Sequence, residues 1–176
     1  YRFITWDYRG FYESRSTFPR ETLTIESHSR DLEAILDGEG IQEAIFFGWC
    51  MGGQICLELY RRRPRLFRAL ILMGTTPGHA LSRLLGPSSL DRLLDTGEAL
   101  SSLGEGWIQS ATKVALRHGG ALWSLRALGL ISAAVDGSLL KTALSGGVEC
   151  PSSVLWQTLR YLDSHDVTSL LPSITI

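Results

Sequence analysis

Apolar positions along the chain follow two periods in turn. "YRFITW" (1–6), "IQEAIFFG" (41–48) and "LFRALILMG" (66–74) are short apolar runs bounded by turn-prone residues, which predicts three buried strands. Between the first two, Ile25, Leu32, Ile35 and Leu36 recur at helical spacing. That spacing predicts a helix over 24–37, with Gly38 and Gly40 as its C-terminal caps. Between the second and third, Ile55 and Leu59 share one face of a helix predicted over 52–63 and stopped by Pro64. Strands and helices alternating at these lengths predict successive βαβ units, hence a parallel sheet with right-handed crossovers.

After "GTTPG" (74–78) the pattern changes. Residues 81–162 hold no convincing strand but several helical patterns broken by Gly and Ser, with Trp107, Trp123 and Trp156 among them. The most apolar stretch, "ALWSLRALGLISAAV" (121–135), carries Arg126 and is too short for a membrane span, so a buried or half-buried helix is expected there. "SITI" (173–176) predicts a return to the sheet. The expected organisation is a core over 1–78, a mainly helical cap over 79–162 and a return to the core over 163–176. The chain opens on Tyr1 within a strand-like run and stops at Ile176 within another, which suggests a piece of a longer protein.

Charge and cysteine content narrow the function classes. With 17 basic and 18 acidic residues the formal net charge is −1, which gives no footprint for nucleic acid or an anionic membrane. The basic cluster "RRRPRLFR" (61–68) is expected at a helix C-terminus, where Arg61, Arg62 and Arg63 offset the helix dipole. Cys50, Cys56 and Cys150 share no metal-ligand spacing and no disulfide framework, so no metal is expected and a reducing, cytoplasmic setting fits them.

The chemistry sits in "FFGWCMGGQI" (46–55), where a strand must turn sharply into a helix. Gly48, Gly52 and Gly53 leave room for close backbone approach, and the apex residue, Cys50, is expected in a strained conformation. Two readings of Cys50 stand side by side: a nucleophile, or a small buried residue at a tight turn. As a nucleophile it would project from the C-terminal edge of the sheet, at a helix N-terminus whose dipole favours a thiolate. The backbone N–H of Met51 would then point at the same spot and hold a developing oxyanion. Cys56, on the same helix, is expected in the core.

Gly48-Trp49-Cys50-Met51-Gly52-Gly53, "WDYRG" (6–10) and "RPRLFRALILMGTTP" (63–77) together resemble the α/β-hydrolase fold family, with "DSHDVTSLLPSITI" (163–176) similar to the segment that re-enters the sheet after the cap. The resemblance implies a partial α/β-hydrolase fold with a helical cap insertion. Two departures stand out: Tyr12 occupies the place of a glycine, while Ser14 fits, and the nucleophile is Cys in place of the usual Ser. Dienelactone hydrolases and polyhydroxyalkanoate synthases of this fold carry a similar Gly-x-Cys-x-Gly-Gly. Asp7 and Arg9 are expected to anchor the loop after the first strand.

The implied activity is acyl transfer from an ester, thioester or lactone through a thioester on Cys50, with no cofactor and with a small acyl substrate that has an apolar portion. In this family the acid and the His follow the nucleophile, and here they are expected beyond Ile176, with the second oxyanion donor expected before Tyr1. His28, His79, His118 and His165 are expected to be surface or packing residues, so no triad is complete within the chain. A class I glutamine amidotransferase, whose elbow also runs Gly-x-Cys-x-Gly-x-Gln, fits less well, because it gives no reason for the "WDYRG" block or the cap. The reading from another class is a hydrolase-like binding or scaffold protein without catalysis.

Overall fold

The computed structural model describes residues 2–15, 19–102 and 150–176, with isolated positions between 103 and 149. Its main elements are α1 (Ile25–Gly38), β1 (Ala44–Trp49), α2 (Met51–Arg62), β2 (Phe67–Met73), α3 (Ser82–Leu85), α4 (Pro87–Ser102) and α5 (Ser152–Ser164). Two compact units divide the chain, one formed by Tyr1–Thr17 with Thr96–Leu155 and the other by Phe18–Asp95 with Trp156–Ile176. The boundary falls inside α4 and α5.

The second unit holds the βαβ element. β1 and β2 pair in parallel, from Ile45 opposite Ala69 to Trp49 opposite Met73, with α2 as the crossover. α1 starts at Thr24, whose hydroxyl accepts the Ser27 N–H at 3.1 Å and satisfies one of the donors that a helix start leaves open. It stops on Gly40, at φ 66°, where the Gly40 N–H donates to the Asp37 carbonyl and the Ile41 N–H to that of Leu36. This is a Schellman closure, and glycine takes its left-handed turn at no steric cost.

The core of this unit joins Leu23, Ile25, Leu32 and Leu36 with Ile55, Leu57, Leu59, Phe46 and Phe67, all buried. Phe46 stacks on Phe67 at 4.0 Å between ring centres, and Tyr60 meets Phe67 edge-on at 5.1 Å. Residues 52–60 of α2 are buried on every side. A helix so enclosed belongs to the interior of its unit, and its two long polar residues, Gln54 and Glu58, need partners there.

Two predicted strands are absent among the described residues. Residues 2–8 form no ladder, and Phe3 is 91% exposed. The end of the chain forms a 3-10 helix, Thr168–Ser173, followed by unpaired residues. Among the described residues the sheet has two strands in place of the expected three or more. An apolar run supplies strand propensity but no partner, and a strand exists only within a ladder. The opposite face of the pair from Phe46 shows Ile45, Phe47, Trp49, Ile71 and Met73, each at least half exposed.

In the first unit, Gly10 at φ 82° lies against Val154, and the Cys150 thiol points to the Gly10 carbonyl at 3.8 Å. Asp7 accepts the Glu13 N–H at 3.2 Å, which closes the loop around Tyr12. Trp107, His118 and most of the predicted 121–135 helix lie outside the described residues. No helix among the described residues is long and apolar enough to cross a membrane.

Candidate active site

Cys50 sits at the apex of the turn from β1 into α2, with φ 52° and ψ −121°. For a residue with a Cβ this backbone costs on the order of 1–3 kcal/mol, and such strain persists only where the surroundings over-determine it. Three features do so here. The Cys50 N–H donates to the Met73 carbonyl at 3.0 Å, which ties the apex to the end of β2. The Gly53 N–H donates to the Cys50 carbonyl at 3.1 Å and starts the helix. Gly48 packs on Gly53 so closely that a Cβ at residue 48 would lie 2.6 Å from the Gly53 Cα, while a Cβ at residue 53 would run into the Thr75 side chain.

The apex is exposed, and α2 begins at the next residue, Met51. The first N–H groups of a helix have no carbonyl one turn behind them, so the Met51 N–H is among the donors α2 leaves open near Cys50. Cys56, further along α2, is buried in the core, where burial pushes its thiol up to about 12. Cys150 is also buried, and none of the three cysteines forms a disulfide among the described residues.

The histidines occupy three different settings. His28 is buried on α1. His79, at φ 53°, lies 3.5 Å from Asp166 at the surface. Hydrogen bonds from Thr168 hold the Asp166 carboxyl below the usual range. His165 is buried against α2, with Nδ1 3.1 Å from Gln54 Oε1 and Nε2 3.2 Å from Glu58 Oε2. Among the described residues no histidine forms a hydrogen bond with Cys50.

The Gln54–His165–Glu58 group was not legible in the sequence. A trace of it was present, because Gln54 and Glu58 are polar positions four apart in an otherwise apolar helix, but the partner lies 111 and 107 residues away. Burial opposes the Glu58 charge, yet the hydrogen bonds from His165 and Arg61 outweigh it and hold the carboxyl below its usual range. Arg61 takes the other oxygen, Oε1, at 2.6 Å. With Glu26, these residues bring three ligand-type side chains within 4.8 Å of one another. His165 and Arg61 already occupy both oxygens of Glu58, whereas the Gln54 Nε2 is buried without a hydrogen-bond partner.

The strand-turn-helix geometry agrees with a family model described as alpha/beta hydrolase fold, which matches residues 1–103. The chain belongs to the alpha/beta hydrolase fold family. Among solved structures it is similar to the N-acyl homoserine lactonase AidH complexed with N-butanoyl homoserine, at 27% identity over 43% of this chain and 28% of that chain, with a TM-score of 0.38. It is also similar to a mutant of that lactonase complexed with N-hexanoyl homoserine, at 16% identity over 89% of this chain and 50% of that chain, with a TM-score of 0.51. The second likeness bears on the fold alone. The chain thus spans half or less of the length of these solved chains. No curated protein matches it.

Proposed function

We propose that this chain carries the nucleophile elbow of a hydrolase acting on a carboxylic ester, thioester or lactone, with Cys50 as the nucleophile. The observation that carries the reading is the strained Cys50 apex, exposed between a strand end and a helix N-terminus. The Cys50 thiolate attacks the carbonyl carbon, and the carbonyl π electrons move onto oxygen, where the Met51 N–H donates to the oxyanion. Collapse of the tetrahedral adduct breaks the bond to the leaving group and leaves a thioester on Cys50. Water then attacks that thioester, and the sulfur departs as thiolate with release of the acid. Acyl transfer to an alcohol follows the same course with the alcohol in place of water.

The reading assigns the proton acceptor to none of the described histidines. It gives the helical segment over 79–162 the role of a cap and the substrate an apolar acyl portion. A reducing, cytoplasmic compartment suits three cysteines that form no disulfide among the described residues. N-acyl homoserine lactones belong to the same class of electrophile and serve as test substrates alongside simple aryl esters.

Intact-mass analysis after brief exposure to an activated ester tests the assignment. The expected result is an acyl adduct at Cys50 that hydroxylamine removes. An adduct at another residue would favour a different nucleophile, and the absence of both adduct and turnover would favour the scaffold reading.

A further inference from the structure

Three consecutive residues grip the elbow from two sides. His165 reaches α2, with one ring nitrogen on Gln54 and the other on Glu58, four residues further along the same helix. Asp166 bridges Gly78 in antiparallel fashion, and the Val167 N–H donates to the Pro77 carbonyl at 2.8 Å. Pro77 and Gly78 closely follow Thr75, whose side chain lies against Gly53 under the turn. Asp163, just before this segment, accepts the N–H groups of Leu81 and Ser82 at 2.8 Å each. Residues 163–167 therefore hold both the helix that starts at Met51 and the loop that presses on its first turn.

We propose that His165 is a positioning residue for Cys50, fixing the rotation and register of α2 so that the elbow holds the sulfur in place for attack. The inference rests on the reading of Cys50 as nucleophile. Apolar burial is in itself non-directional. Hydrogen bonds are directional, and a rigid ring that bonds Gln54 and Glu58 one turn apart admits one rotation. Gln54 lies four residues after Cys50, so a slip at this contact moves the apex. Arg61 remains on Glu58 when His165 is removed, which leaves that buried carboxylate a partner.

The test compares His165→Ala, His165→Gln and Leu36→Ala in the natural protein. Its readouts are the rate of Cys50 alkylation by iodoacetamide, kcat and KM on an ester, and thermal stability. Displacement of a reacting group by about 1 Å costs up to about a hundredfold. For His165→Ala the expectation is alkylation and kcat lower by roughly tenfold or more, with KM within about twofold, and partial recovery in His165→Gln. Leu36→Ala empties part of the core without touching the network, so it should lower thermal stability and leave both rates near wild type.

Wild-type alkylation in His165→Ala, or equal slowing in Leu36→Ala, would overturn the proposal. If His165→Ala does not fold, Gln54→Leu carries the same expectation through loss of the Nδ1 partner. Turnover unaffected by Cys50→Ala would remove the nucleophile reading instead, and alkylation rates would still report the position of the sulfur.

Discussion

Gly48 and Gly53 touch across the turn: a Cβ on residue 48 would stand 2.6 Å from the Gly53 Cα and 2.8 Å from the Gly52 carbonyl oxygen. All of these atoms are backbone, so no side chain can swing aside to make room. Gly48→Ala is therefore expected to destabilise by about 1–3 kcal/mol, in the range of overpacked interiors, and to disturb the Cys50 apex at the same time. Chemical denaturation of the variant checks the first part and Cys50 alkylation the second. A fully stable Gly48→Ala protein would contradict the packing described.

Tyr12 offers the opposite case. It stands where the family pattern has glycine, and its φ of 45° keeps the left-handed backbone that glycine adopts freely. The left-handed conformation costs a side-chain-bearing residue roughly 1–2 kcal/mol, and glycine returns about 0.5–1 kcal/mol of that through its larger unfolded-state entropy. Tyr12→Gly should thus raise stability by about 0.5–1 kcal/mol, since the half-exposed ring gives up little packing. Denaturant midpoints of the two proteins decide it, and a clear loss of stability would show that the Tyr12 ring contributes more than its strain costs.

The elements that the sequence made legible are those fixed by neighbours in the chain. α1 carries its own cap at Thr24 and its own stop at Gly40, and β1, α2 and β2 follow from one βαβ period, so pattern and structure agree within a residue at each end except at the start of β1, which lies three residues later than the apolar run. The turn at Cys50 was readable for the same reason, because its glycines are local. What failed depends on distant partners. "YRFITW" and "SITI" have strand-like composition, yet neither finds a ladder among the described residues. Cap residues 103–149 lie largely outside the described residues, so the sequence reading of that region stays a proposal. Its place in the sequence marks His165 only as a surface or packing histidine, and the structure makes it the centre of a buried polar group whose other members are more than a hundred residues away.

Glu58 gives that network a pH dependence of known sign. Its carboxyl titrates below the ordinary value of 4.5 in the folded protein, so its stabilisation is complete above that value and is lost as pH falls through the lower folded one. Stability measured by denaturant at several pH values should show Glu58→Gln less stable than wild type near neutrality, with the gap narrowing in acid. A gap that is constant with pH would mean that the Glu58 charge does not contribute.

The thiols differ by burial as well as by position. Cys56 is buried with its thiol pushed up to about 12, while Cys50 is exposed at a helix N-terminus. Peptide mapping after limited iodoacetamide treatment near neutral pH should find the label on Cys50 and neither on Cys56 nor on buried Cys150. Preferential labelling of Cys56 would mean that α2 opens more readily than its burial implies.

The account turns on whether Cys50 bears the acyl group, and Cys50→Ala measures this most directly. Ester turnover by the natural protein should fall by several orders of magnitude in Cys50→Ala, since loss of the nucleophile removes the covalent route, while the fold survives because alanine is smaller than cysteine at an exposed apex. Turnover equal to wild type in Cys50→Ala would contradict the account and leave Cys50 a structural turn residue.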